Sequence, residues 1–378
     1  MNVLALADDA TGALEVGARF GEAGLDTRVC FDPQADWSSG ALVIDTETRQ
    51  MSGERAGDVV RSIAVRARED GIAHIYKKTD STLRGPIAAE FRALLDVWPE
   101  LPLVYAPAYP ALGRTVRSGE LHVDGRPLSE TAFATDLLNP SSESSIAALL
   151  HSTGAEVVLV RDAADLRRSL RCGRILVCDG ETDRDLEDVA AAIDGAGCLV
   201  AGTAAMASVW ARRLAGGSRR AQPVSPVRTC LVVNGSLHPA SQEQLAITGI
   251  PMLVHDPAAD PLDLGGRMAG LMGTHRWASL CAAPPCSADP LAVATHAARV
   301  VAHAIRAAAP DCLVVFGGAT VFAIMRELHI DRAEPHFEIL PGAPVSTIRE
   351  PDMMLVTKAG GFGPRDYLLR IRGILEKT

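Results

Sequence analysis

Short, uninterrupted apolar runs alternate with amphipathic stretches along the chain from its first residues. The runs predict strands at 3–7, 27–31, 41–45, 74–78, 103–106, 156–160, 175–178 and 198–201. Between them a 3.6-residue period predicts helices at 11–23, 55–69, 87–97, 183–193 and 204–214. In the first helix Ala13, Val16, Gly17 and Phe20 share one face. Runs that are apolar throughout, rather than at every second position, imply strands buried on both faces of a mostly parallel sheet. The rhythm breaks over 215–226, where Gly, Pro, Ser and paired arginines read as an exposed linker. It then restarts, with strands at 230–233, 252–255, 277–281, 312–316 and 353–357. A helix over 291–308 follows from the stripe Val293, Ala297, Val300, Ala304 and Ala308. The expectation is an α/β protein of two domains with mostly parallel, helix-covered sheets, residues 1–220 and 228–378, and an active site in the cleft between them.

The stretch 106–140 departs from compact packing. A long excursion of this kind is usually functional or disordered. Its aromatics, its spaced apolar anchors and a hairpin turn at Asp124-Gly125 predict an ordered, functional loop.

Composition adds limits rather than a function. The 378 residues are 48% hydrophobic, 22% charged and only 4% aromatic, as in an ordinary soluble globular protein. A formal charge of -9 disfavours a nucleic-acid partner. No apolar run reaches the roughly 20 residues of a membrane helix, and the acidic start lacks a signal-peptide pattern. A cytoplasmic protein without a membrane partner is expected, and a homodimer is compatible with the sequence. The eight cysteines read as reduced core residues, and the local pair Cys281 and Cys286 lacks the companions of a zinc site.

Polar residues concentrate where strands give way to helices, the place at which parallel sheets bind ligands. After the first strand come Asp8, Asp9 and Thr11. One of them caps the helix, leaving a second carboxylate to orient a hydroxyl, accept its proton or hold Mg²⁺. The strand at 74–78 runs into Lys77-Lys78-Thr79-Asp80-Ser81-Thr82-Leu83-Arg84-Gly85. Here the flat fork of Arg84 suits a carboxylate, although solvated surface charges would give the same pattern. Arg114 and His122 are weaker candidates on the long loop. In the second half, turns at Asn234-Gly235-Ser236, Gly317-Gly318-Ala319-Thr320, Pro341-Gly342 and Lys358-Ala359-Gly360-Gly361-Phe362-Gly363 expose backbone N–H groups of the kind that bind phosphate. The P-loop, dinucleotide, nucleophile-elbow and zincin signatures do not occur.

Together these stretches closely resemble the four-carbon acid sugar kinase family. The resemblance rests on residues 7–13, 77–85, 107–115, 125–128 and 135–140, and on Gly317-Gly318-x-Thr320, Pro341-Gly342-x-Pro344 and 357–363, so it spans essentially the whole chain. It implies an ATP- and Mg²⁺-dependent kinase acting on the terminal 4-hydroxyl of an acid such as threonate, erythronate or 3-oxo-tetronate. On the substrate side it assigns Asp8, Asp9, Lys77, Asp80, Ser81 and Arg84, which the residue reading extends to Lys78 and Arg114. On the nucleotide side it assigns Gly317, Gly318, Thr320, Gly342, Lys358, Gly360, Gly361 and Gly363, with Ser236 joining from the residue reading. Asp8 or Asp9 is the expected base, with Arg84 neutralising the acid. Ala319, Ala359 and Ser346 depart from the family pattern, and the alternative they raise is a sugar-acid-binding protein of the same fold with a weakened or lost ATP site.

Overall fold

The computed structural model describes residues 2–34, 37, 40–135, 141–216, 226–282 and 290–377. Most of the expected linker, Cys286 and the motif residues 136–140 lie outside them. The chain forms two compact units: Met1–Thr27 with Asp36–Arg219, and Arg28–Ala35 with Arg220–Thr378.

The first unit starts with β1 (Val3–Ala7) and α1 (Ala10–Glu22), then β2 (Thr27–Cys30), most of which belongs to the second unit. It continues with β3 (Ala41–Asp45), α2 (Gly53–Glu69), β4 (His74–Lys78), α3 (Ile87–Val97) and β5 (Leu103–Ala106). A small antiparallel sheet follows, formed by β6 (Arg114–Arg117), β7 (Glu120–Val123) and β8 (Arg126–Pro127). After α4 (Ile146–Leu150) come β9 (Glu156–Val160), α5 (Ala163–Ser169), β10 (Arg174–Cys178), α6 (Asp183–Ala192), β11 (Leu199–Gly202) and α7 (Ala204–Ala215). The main strands pair in parallel in the order β3-β1-β4-β11-β5-β10-β9. Strands β1 and β3 are buried at every position, as their unbroken apolar runs require. The chain builds outward from β1 to β3 and then crosses to β4 on its other side. The switch point of the strand order, where parallel sheets bind ligands, therefore lies at the carboxyl ends of these three strands.

The second unit contains β12 (Cys230–Asn234), α8 (Pro239–Ala246), β13 (Met252–His255), α9 (Pro261–Thr274), β14 (Trp277–Ala282), α10 (Pro290–Ala308), β15 (Cys312–Phe316) and α11 (Gly318–Glu327). It ends with β16 (Arg332–Leu340), β17 (Ala343–Arg349), β18 (Asp352–Lys358) and α12 (Tyr367–Leu375). The order β13-β14-β12-β15-β18 is parallel, and β17, β16 and β2 extend it antiparallel. Val232, Val314, Phe316, Val356, Leu368 and Ile371 form part of the core on one face. As in the first unit, the strand order reverses around the first strand, β12, placing its switch point beside β15.

The turn at Asp124-Gly125 is present, with φ of 51° and 81°, and it joins β7 to β8. The long loop is thus partly a folded sheet. Pro341-Gly342 is a turn as expected, but one that reverses the antiparallel β16–β17 hairpin, unlike the turns that lead from strand to helix. Gly342, at φ 79°, serves that reversal, and its N–H is taken by Glu338 Oε2 at 3.1 Å.

Candidate functional site

At the end of β1 the chain turns into α1 with Asp9 as its cap, the Oδ1 accepting from Gly12 N at 2.8 Å. Asp8, 2% exposed, receives a two-pronged contact from Arg49, Nε to Oδ2 at 2.7 Å and Nη2 to Oδ1 at 3.0 Å. The third arm of that guanidinium, Nη1, reaches Asp9 Oδ2 at 2.6 Å, and Nη2 lies 3.6 Å from Asp80 Oδ1. Burial alone would raise Asp8, but the Arg49 guanidinium outweighs it and holds the carboxyl below its usual range. Both carboxylates are therefore fully engaged acceptors. Asp9 is the cap, and Asp8 is the carboxylate left over from capping.

The turn after β4 contains as many internal partners as charges. Arg84 sends Nε and Nη2 to Asp80 at 2.8 and 2.7 Å, so its fork is closed on its own turn. Only its Nη1 has no hydrogen bond to a described residue. Asp80 also accepts from Thr82 N at 2.9 Å and Thr82 Oγ1 at 2.5 Å. Burial opposes its ionisation, yet Arg84 and Arg49 hold it well below the usual carboxylate range. The expected grip of Arg84 on a substrate carboxylate thus becomes a scaffold contact with one free edge. Ser81 lies at the rim, 9% exposed. Arg114 is seated against its own loop, donating to Leu112 O and lying over the Phe133 ring at 5.6 Å.

The two lysines point to different fates. Lys77 is completely buried, with Nζ 3.1 Å from Glu90 Oε1 on α3. Glu90 in turn accepts from Thr48 Oγ1 at 2.5 Å. Burial outweighs the Lys77 charge and holds the Glu90 carboxyl above its usual range. Lys77 is therefore a core ion pair rather than a ligand contact. Glu90→Leu, which strands the ammonium, is expected to cost about 3–5 kcal/mol in urea denaturation. Lys77→Met should cost less, because Glu90 can take up a proton.

Lys78, 4% exposed, has no carboxylate at salt-bridge distance among the described residues. Its Nζ donates to Thr79 O at 2.9 Å. The side chain lies over Gly12: a Cβ there would fall 2.7 Å from Asp9 Oδ1 and 3.1 Å from Lys78 Nζ. The glycine is what lets a buried cation approach the first turn of α1. In that turn Thr11 Oγ1 is also buried, with no partner among the described residues. Cation, helix N-terminus and free hydroxyl together suit an anion.

Residues 45–49 were not foreseen. Asp45, 2% exposed, accepts from Glu47 N at 3.1 Å, while its Oδ2 is buried with no partner among the described residues. Burial, reinforced by the Glu47 and Asp9 charges, holds Asp45 well above the usual range, favouring the neutral acid. Glu47 accepts from Ala10 N at 3.2 Å. The signal in the sequence was Asp45-Thr46-Glu47-Thr48-Arg49 directly after a buried strand, the placement that singled out Asp8 and Lys78.

In the second unit the turns after β12, β15 and β18 meet. A Cβ on Gly235 would collide with Thr320 Oγ1, and one on Gly360 with Ser236 Oγ. Gly361 lies against the His238 ring. Gly317, at φ 104°, caps α11, whose first turn holds Gly318 and Thr320. Gly363, at φ 86°, abuts the Tyr367 ring. Lys358 is fully buried; Nζ donates to Ala359 O at 2.8 Å and Gly360 O at 3.0 Å, tying the loop from within. Burial lowers its pKa to about 7. The result is a glycine-lined floor at the carboxyl ends of parallel strands, with one buried amine beneath it.

Residues 3–210 match the family described as sugar-binding N-terminal domain, and residues 273–368 the nucleotide-binding C-terminal domain. D-threonate kinase of Bordetella bronchiseptica is 32% identical, over 97% of this chain and 95% of that protein. A solved structure from the same organism, with bound citrate and as a domain-swapped dimer, is 30% identical with a TM-score of 0.53, covering 100% of this chain and 99% of that one. Haemophilus influenzae protein HI1011 shares the fold, with a TM-score of 0.74 at 23% identity over 99% and 100% of the two chains.

Proposed function

The chain belongs to the four-carbon acid sugar kinase family, enzymes that phosphorylate sugar acids, and from that premise we propose that it transfers the γ-phosphoryl group of ATP to the terminal 4-hydroxyl of a four-carbon acid such as D-threonate. The observation that carries the substrate side is Lys78, a buried ammonium with no carboxylate partner among the described residues, beside the α1 N-terminus. Lys78 and the outer edge of Arg84 hold the acid's carboxylate, with Ser81 at the rim. Citrate in the Bordetella bronchiseptica structure is in keeping with a carboxylate ligand. Asp8 and Asp9, locked by Arg49, orient the sugar hydroxyls.

The nucleotide belongs on the second unit's glycine turns, where Gly235 and Gly360 leave room for the Thr320 and Ser236 hydroxyls beside backbone N–H groups of the kind that bind phosphate. ATP, when bound, supplies the group transferred; the chain's part is to position the oxygens and exclude water. Among the described residues no group of three or more His, Cys, Asp or Glu is placed to hold a metal ion. Mg²⁺ in kinases needs only one or two carboxylates besides phosphates and water, so it would arrive on the polyphosphate. No helix among the described residues is long and apolar enough to cross a membrane. A cytoplasmic homodimer is the setting we infer, in keeping with the dimer of the Bordetella bronchiseptica protein.

An ADP-release assay with Mg²⁺ over threonate, erythronate and 3-oxo-tetronate tests the reading. Turnover of at least one supports it. Acid-induced thermal stabilisation without turnover or any nucleotide effect would favour a sugar-acid-binding protein instead.

Lys358 adds a pH signature. With its pKa near 7 it is mostly neutral at pH 8 in the free protein, and adjacent phosphate restores its charge. Nucleotide binding is therefore expected to take up protons above about pH 7, and affinity to fall as pH rises there. Calorimetry in buffers of different ionisation enthalpy should show the uptake, and Lys358→Met should lose it.

A further inference from the structure

Glu47 stands apart from the other carboxylates of the first unit. Its backbone is left-handed, φ 47°, a conformation that residues with a Cβ rarely adopt. An outlier of this kind next to a ligand site is a reason to ask what it holds in place. Two contacts fix it: Asp45 Oδ1 accepts its N–H at 3.1 Å, and its own Oε1 accepts from Ala10 N at 3.2 Å. The second contact places the carboxyl at the α1 N-terminus, beside Asp9 and near Asp8. Its Oε2 has no hydrogen-bond partner among the described residues, and the side chain is only half-buried. Asp8 and Asp9, by contrast, have every oxygen engaged by Arg49 or by the helix.

Resting on the sugar-acid kinase reading, we propose that Glu47 is the catalytic base, its Oε2 taking the proton of the substrate hydroxyl. As the hydroxyl oxygen bonds to the γ-phosphorus, the bond from that phosphorus to the ADP oxygen breaks. The proton moves to Glu47 and from there to solvent. Asp8 and Asp9 then orient the hydroxyl without accepting its proton. The charged groups around Glu47 suit it to the role: Asp45 on its own strand end, Asp9 and Asp8 from the β1–α1 turn, and Arg49 two residues on. Burial, followed by the Asp9 charge, raises its pKa to about 7, where a base can both take and release a proton.

The structural alternative is that Glu47 only caps α1 through Ala10 N. Glu47→Gln keeps that acceptor and removes the base. It is expected to lower kcat about 10²–10⁴-fold with little change in KM. The acidic limb near pH 7 in the wild-type kcat/KM profile should disappear. The variant should melt no lower than wild type above pH 7, because the raised carboxyl is destabilising once ionised. A kcat within tenfold of wild type with the limb intact, or a loss confined to KM, overturns the assignment. Wild-type turnover of D-threonate, run in parallel, reports separately on the kinase reading. If no four-carbon acid turns over, that reading falls and the base assignment falls with it.

Discussion

Replacing Arg49 with methionine is expected to cost about 3–5 kcal/mol of stability and to cut turnover by about 10²-fold or more. One guanidinium spans two carboxylates at hydrogen-bond distance, Asp8 and Asp9, and lies 3.6 Å from a third, Asp80. Without it, Asp8 and Asp9 lose their ion-pair partner at the end of β1, and Asp80 at the end of β4 keeps only Arg84. The loss in rate follows because Asp8 and Asp9 then have nothing fixing their direction. The pH dependence should invert as well. In the wild type Asp8 is depressed, so its contribution is present above the unfolded carboxylate value and is lost as pH falls through the folded one. In Arg49→Met the same acids resist ionisation, so stability should decline as pH rises from about 4. Urea denaturation at pH 5 and pH 8 measures the inversion. Arg49→Lys should rescue little, since a point charge cannot reproduce a three-armed contact.

Lys78→Met is expected to show the opposite pattern, lowering kcat/KM for the acid about 10²–10³-fold while leaving stability unchanged or improved. Removing one partner of a buried ligand ion pair costs about 2–5 kcal/mol in binding. In the free protein Lys78 is 4% exposed, with Thr79 O as its one acceptor among the described residues, so methionine relieves a desolvation penalty there. Thermal shift with and without D-threonate, beside steady-state kinetics, separates the two effects. If Lys78 were a structural charge, the variant would melt lower and KM would not move.

These expectations reassign residues that the sequence had grouped together, and the reasons are physical. Strand positions were readable where a strand is buried on both faces and leaves an unbroken apolar run; β1, β3 and β5 match residue for residue, as does β4, whose short run His74-Ile75-Tyr76 leads into two buried lysines. The small β16–β17 hairpin was missed because β16 mixes Glu334, Pro335, His336 and Glu338 with apolar residues, and its turn carries the glycine of a phosphate loop. The charge density of 77–84 marked the turn on which the proposed substrate site rests. What sequence could not show was which charges cancel. Arg84 finds Asp80 four residues earlier, and Lys77 finds Glu90 on a helix read only for its apolar face. Lys78 remains because strand alternation turns it to the other side of the sheet, over Gly12. Arg49 and Glu47 escaped notice because their turn has no glycine to advertise it.

The proposed reaction turns the terminal hydroxyl of a four-carbon acid into a phosphate ester at the expense of ATP. The most direct measurement is carbon NMR of the product formed from D-threonate, ATP and Mg²⁺. Two-bond phosphorus coupling at C4, the carbon that bears the ester oxygen, is expected, with no ester at C2 or C3. An ester at either of those carbons, or ATP left intact with every four-carbon acid offered, would contradict it.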